Sequence, residues 1–208
     1  DLDYNRSILN NASQDATYYN FNREKITNYH AFSLITITPT DNHRITIKPY
    51  YFREWAPRMA GIGNFLGSPA VRERTSRFDR YGSVVEYDTS ILNTGLKIGY
   101  WYEQFSLPIA EKYSRLQNGQ LQFNQWLLTK KEGNGVISSP YVKITKYIGA
   151  LHAEGGFRYF NMYEPPVTGF NNAGLPNGSF EDVQGLNPAK DPATSYKGQT
   201  YQAWLPHF

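Results

Sequence analysis

The chain has no cysteine, which excludes a disulfide framework and any thiolate-ligated metal centre. It has no apolar run near the about 18 residues that a membrane-crossing helix needs, so a helical membrane protein is excluded as well. Charge of one sign is also lacking. Lys and Arg number 21 against 18 Asp and Glu, and the resulting +3 is too small to argue for a nucleic-acid partner. The four histidines, His30, His43, His152 and His207, are scattered without metal-ligand spacing. The segment "GIGNFLG" (61–67) lacks the spacing of a dinucleotide loop, and no G-x-S-x-G elbow occurs. No enzymatic activity, cofactor or metal is therefore expected.

What the chain does have is rings. Its 17 Tyr and 12 Phe coexist with a mean hydropathy of −0.58. Many aromatics without long aliphatic runs favour strands over helices. Period-two alternation predicts hairpins at 28–38 with 43–55, joined by the turn "PTDN", and at 82–92 with 96–105, joined by "NTG". A third hairpin pairs 136–148 with the strand that opens "ALHAEGGFRYFNMYEPP" (150–166), and one more strand is expected near 196–204. In the quoted stretch Leu151, Ala153, Phe157 and Tyr159 share an apolar face, whereas His152, Glu154 and Arg158 share the other.

The three long connections, 56–80, 106–135 and 165–194, are read as loops, and the strand-like piece 120–128 is placed inside the second of them. Structureless loops of this length are uncommon in compact soluble domains. Short turns alternating with long connections are instead the plan of an outer-membrane barrel, with turns on the periplasmic side and loops outside. The aromatic groups agree. Tyr50–Phe52 with Trp55, Tyr100–Tyr102 with Phe105, and Tyr159, Phe160 and Tyr163 all stand at the long-connection end of a strand, where a membrane interface concentrates amphipathic rings. The expected fold is all-β: about seven meandering antiparallel strands of a transmembrane β-barrel.

The segment "SSPYVKITKYIGALHAEGGFRYFNMYEPP" (138–166) resembles a mid-barrel hairpin of the TonB-dependent outer-membrane receptors, with Leu151, Gly156, Arg158 and Tyr159 on the family pattern. "AWLPHF" (203–208) is similar to the start of a following strand in that family, and "PTDNHRITIKPYY" (39–51) to its general hairpin; together the likenesses cover roughly 30–208. The resemblance implies a barrel of about 22 strands filled by an N-terminal plug domain. It also implies uptake of a scarce solute, most often a ferric siderophore or similar metal chelate, driven by the inner-membrane TonB complex. Seven strands cannot close such a barrel, so residues 1–208 are expected to be one section of a single barrel domain, with the plug and coupling box outside it. A passive porin-like or small structural barrel and a soluble β-rich binding or adhesion domain are the alternatives.

Candidate ligand contacts lie in the connections. Arg53, Arg58, Arg72, Arg74, Arg77 and Arg80 face only Glu54, Glu73 and Asp79 between 53 and 80, a local +3 equal to that of the whole chain. Arginine forks suit carboxylates and phosphates, so the group is read as attracting an anionic solute at the barrel mouth, with lipopolysaccharide phosphates or internal acid pairs as the other readings. Trp55, Phe65, Tyr113, Trp126 and Phe170 are candidates to stack on a ligand or to pack within the loops. Membrane lipid and lipopolysaccharide are the expected surroundings of the wall.

Overall fold

A computed structural model of the chain describes residues 21–106 and 109–207. Among the described residues thirteen strands form one antiparallel sheet, accompanied by one short helix: β1 (Arg23–Glu24), β2 (Thr27–Phe32), β3 (Ile35–Thr40), β4 (His43–Phe65), β5 (Ser68–Ile91), β6 (Thr94–Ser106), β7 (Ile109–Gln117), β8 (Gln120–Lys131), β9 (Gly135–Ile148), β10 (Leu151–Glu164), β11 (Val167–Phe170), α1 (Phe180–Gly185), β12 (Lys190–Tyr196) and β13 (Gln199–His207). The lower part is an open wall ordered β2/β3, β4, β5, β6, β9, β10, β13. Counting β2 and β3 as one interrupted run gives the seven strands anticipated from alternation. The interruption at Ser33 and Leu34 lies opposite Pro49, which has no N–H to give the ladder; Ser33 N still donates to the Pro49 carbonyl at 3.0 Å.

Register fixes the two faces. Directly paired residues lie on the same side of a sheet, so each row can be read across the wall. One outward row runs Ile37, Ile45, Tyr87, Ile98, Val142, Phe157, Pro206, and the next runs Ile35, Ile47, Val85, Tyr100, Pro140, Tyr159, Trp204. Both rows are apolar or aromatic throughout, and large members such as Ile37, Ile98 and Trp204 are exposed. Above them Tyr51, Tyr81, Tyr102 and Tyr163 form a ring of phenols. The rise from His43 to Tyr51 is about 27 Å along the strand, the scale of the apolar band on a tilted outer-membrane strand.

The opposite face is polar and densely paired. Glu86 accepts from Lys48 and, at 2.7 Å, from the Tyr141 hydroxyl; Lys97 bridges Glu86 and Asp88 at 3.4 and 3.3 Å. Glu103, 1 % exposed, accepts from Tyr50 and from Arg80 Nη2 at 2.7 Å. Glu154 holds Lys143 at 2.6 Å and His207 at 2.8 Å. Glycine makes room for the rings on this face. Tyr50 is paired with Gly82, Tyr141 with Gly99, and Phe105 with Gly135; the Tyr141 and Phe105 rings occupy the space a Cβ would need, and at Gly82 the Tyr102 carbonyl and the Tyr50 hydroxyl do. Such cross-strand pairs cover the exposed backbone of a strand glycine.

The connections 56–80 and 106–135 are mostly strand rather than loop, and 165–194 is about half structured. The segment 56–80 continues β4 and β5 upward to a two-residue turn at Leu66 and Gly67, both with positive φ. These strands of 23 and 24 residues measure roughly 75–80 Å end to end, about three times the apolar band. The segment 106–135 is a further hairpin, β7–β8, turning at Asn118–Gly119 and pairing onto the upper half of β5. The strand-like 120–128 is β8, part of this extension rather than of the wall. The segment 165–194 contributes β11, α1 and most of β12. Helix α1 closes a satellite core of Ala110, Trp126, Leu128 and Val183 on the outward side of the extension.

Candidate functional site

Nothing in the composition of 56–80 forces a strand, but register carries the wall upward without a break. The face that is polar below therefore continues into the extension. There it presents a grid three residues wide: Arg58, Arg74, Glu111, then Ala60, Arg72, Tyr113, then Ile62, Ala70, Arg115. Arg58 and Arg74 are directly opposite each other, an arrangement of like charges that opposes pairing unless something neutralises it.

Two carboxylates stand among four guanidinium groups: Glu24 is opposite Arg58, and Glu111 is opposite Arg74. Glu111, 8 % exposed, lies 3.8 Å from Arg72 Nη1 and 3.6 Å from Arg74 Nε. Neither separation makes a full hydrogen bond; the bond Glu111 does receive comes from Tyr113 Oη at 2.7 Å. The Nε atoms of Arg72, Arg74 and Arg115 are all buried without an acceptor. Burial, and then the bond to Glu111, pushes the Tyr113 phenol above its ordinary pKa, so it stays a neutral donor. Phe65 stacks on the Tyr113 ring, with centroids 4.6 Å apart and planes 14° from parallel. The grid is thus an electropositive surface whose arginines Glu111 holds only loosely, suited to an oxyanion.

The remaining sequence candidates are divided by face and height. Arg80 shares the polar face but is fully engaged lower down by Glu103. Arg53 and Arg77 are on the outward face, where Asp79 holds both at 2.5 and 2.7 Å. Trp55, 42 % exposed, is beside them in register with Arg77. Trp126 is 4 % exposed within the satellite core, its Nε1 donating to the Pro176 carbonyl at 2.9 Å; its indole packs the extension together. Phe170 packs against the same core. Of the eleven candidates, Arg58, Arg72, Arg74, Tyr113 and Phe65 come together. Arg115 and Glu111 complete the group without having been singled out from sequence, although the turn signal Asn118–Gly119 after "EKYSRLQ" marks a hairpin that would have placed them.

No protein-family model matches the chain, and no curated protein matches it. Among solved structures the fold superposes on the crystal structure of the ferric citrate transporter FecA in the unliganded form, with a TM-score of 0.61 over 90 % of this chain. The matched region is 25 % of the transporter's chain, at 15 % sequence identity. At that identity the likeness is one of fold. The chain spans a quarter of that transporter and has the architecture of a section of outer-membrane-type β-barrel wall with a tall extension at one end.

Proposed function

We propose that this wall belongs to an outer-membrane receptor that captures an anionic metal chelate, such as a ferric siderophore, at its mouth and imports it by TonB coupling. The arginine grid supports this reading best. Arg58, Arg72, Arg74 and Arg115 outnumber Glu24 and Glu111 on the face continuous with the polar wall, so anions are drawn to the mouth rather than to the outer surface. Below it, the paired polar side chains would hydrate the solute's path. The inner-membrane TonB complex would act through regions outside this chain. Membrane lipid would meet the outward apolar rows, and lipopolysaccharide phosphates would meet Arg53 and Arg77 just above the phenol ring. On this reading the chain is a transport component and not an enzyme.

The test is uptake of radiolabelled ferric chelates by cells carrying the full-length protein, with Arg72→Gln and Arg74→Gln combined. The double replacement is expected to weaken capture by about 10- to 100-fold, with a smaller salt dependence than the parent. Collapse of the inner-membrane proton gradient should abolish uptake. Uptake that survives the collapse would identify a passive porin-like barrel, and capture indifferent to the double replacement would remove the mouth from the mechanism. A protein that stays folded in solution without detergent would point to a soluble binding domain.

A further inference from the structure

The polar face of the wall contains a second position with unmatched charge, well below the mouth. Among the described residues of this face, Arg44, Lys48, Arg80, Lys97, Lys143 and His207 each have a carboxylate within 4 Å. Arg158 has none. The reason is visible in its row, which runs Thr46, Glu86, Gly99, Tyr141, Arg158, Leu205. The Tyr141 ring lies over Gly99 and its hydroxyl takes up Glu86, so the ring separates Arg158 from that acid.

Arg158 is nevertheless held in place. Its Nε donates to Ser139 Oγ at 2.7 Å, and that hydroxyl, wholly buried, donates to the Tyr159 carbonyl at 2.9 Å. Its guanidinium carbon lies 5.1 Å from the Trp101 ring centre and 5.8 Å from that of Tyr141. A guanidinium oriented through Nε and two ring faces keeps its terminal nitrogens as a pre-set fork. It borders a cavity of about 470 Å³ that is also lined by Lys143, Leu205 and His207. A half-open, mostly apolar pocket in which an oriented cation lacks an acid partner has the few placed polar groups that fix a small anion.

We propose that Arg158 is a carboxylate-binding position midway along the lumen wall, distinct from the mouth and independent of which solute the mouth selects. The carboxylate would come either from a solute in transit or from an acidic side chain of a segment filling the barrel. Both sources use the same two-pronged contact to the terminal nitrogens.

The full-length protein in detergent is titrated with succinate while Trp101 emission is followed, isolated as the difference between the parent and W101F. A saturable change that is weakened at least tenfold by R158Q and kept by the mouth pair R72Q/R74Q establishes the site for solutes. If succinate gives no saturable change, phenylglyoxal labelling read by mass spectrometry decides. Protection of Arg158 beside ready labelling of the exposed Arg44 shows an internal carboxylate on the fork. Absence of saturation together with ready labelling of Arg158 overturns the proposal.

Discussion

Replacing Gly99 with alanine should damage the wall more than its single added methyl suggests. A Cβ on Gly99 would fall within the ring of Tyr141, its direct cross-strand partner, whereas a Cβ on Gly95, in the same strand, would meet Thr145 Cβ at an ordinary 3.6 Å. The ring can leave only by giving up its hydrogen bond to Glu86. Overpacking costs about 1–3 kcal/mol, and a hydrogen bond to a charged group contributes about 1.5–3 kcal/mol. The two costs are alternatives in part, since a displaced ring relieves the overlap. The expected loss for G99A is therefore about 2–3 kcal/mol, and for G95A below about 0.5 kcal/mol. Denaturant unfolding of the full-length protein in detergent, followed by tryptophan emission, measures both. The cause is isolated by the pair with Y141A, because in that background the methyl has no ring to meet and G99A should cost almost nothing further. Equal losses for G99A and G95A, or a G99A cost undiminished beside Y141A, would refute the ring-over-glycine account.

Two further outcomes are expected from the extension. W126A removes the centre of the satellite core, a loss of about 3–5 kcal/mol that should stay local. Limited proteolysis is expected to open 165–194 while the wall strands remain protected, and an unchanged cleavage pattern would show that Trp126 does not organise the extension. Tyr113 has a raised folded-state pKa, so its contribution is fully present below the ordinary phenol pKa of about 10 and is lost as pH rises above it. Ultraviolet titration of tyrosinate should show a late-titrating phenol that Y113F deletes, and an undelayed titration would mean that the Glu111 bond does not persist.

The sequence by itself determined the wall. Residues such as Ile45, Ile47, Val85, Ile98, Val142 and Phe157 alternate with charged or hydroxylated neighbours because one side of each strand meets an apolar medium and the other does not. That difference writes a period of two into the chain, and the turns between strands add their own signals. The aromatic clusters were legible as positions but not as a single girdle, since adjacent residues such as Tyr50 and Tyr51 must face opposite sides: Tyr51 outward, Tyr50 toward Glu103.

Only the tertiary structure decided the mouth. Above the apolar rows large apolar residues fall on both faces, as with Met59 and Ile62 in "APRMAGIGN" (56–64), so no alternation announces a strand. The strand persists there because register is inherited from the wall below and because β7 supplies a partner. Once it persists, parity separates Arg58, Arg72 and Arg74 from Arg53 and Arg77, a division invisible while the segment is read as a loop. Trp126 and Tyr113 were equivalent loop aromatics in sequence; pairing across β7 and β8 sent one into the core beneath α1 and the other into the arginine grid. The side of the sheet a residue occupies is a property of pairing, and pairing across such long spans is set by the fold rather than by the residues themselves.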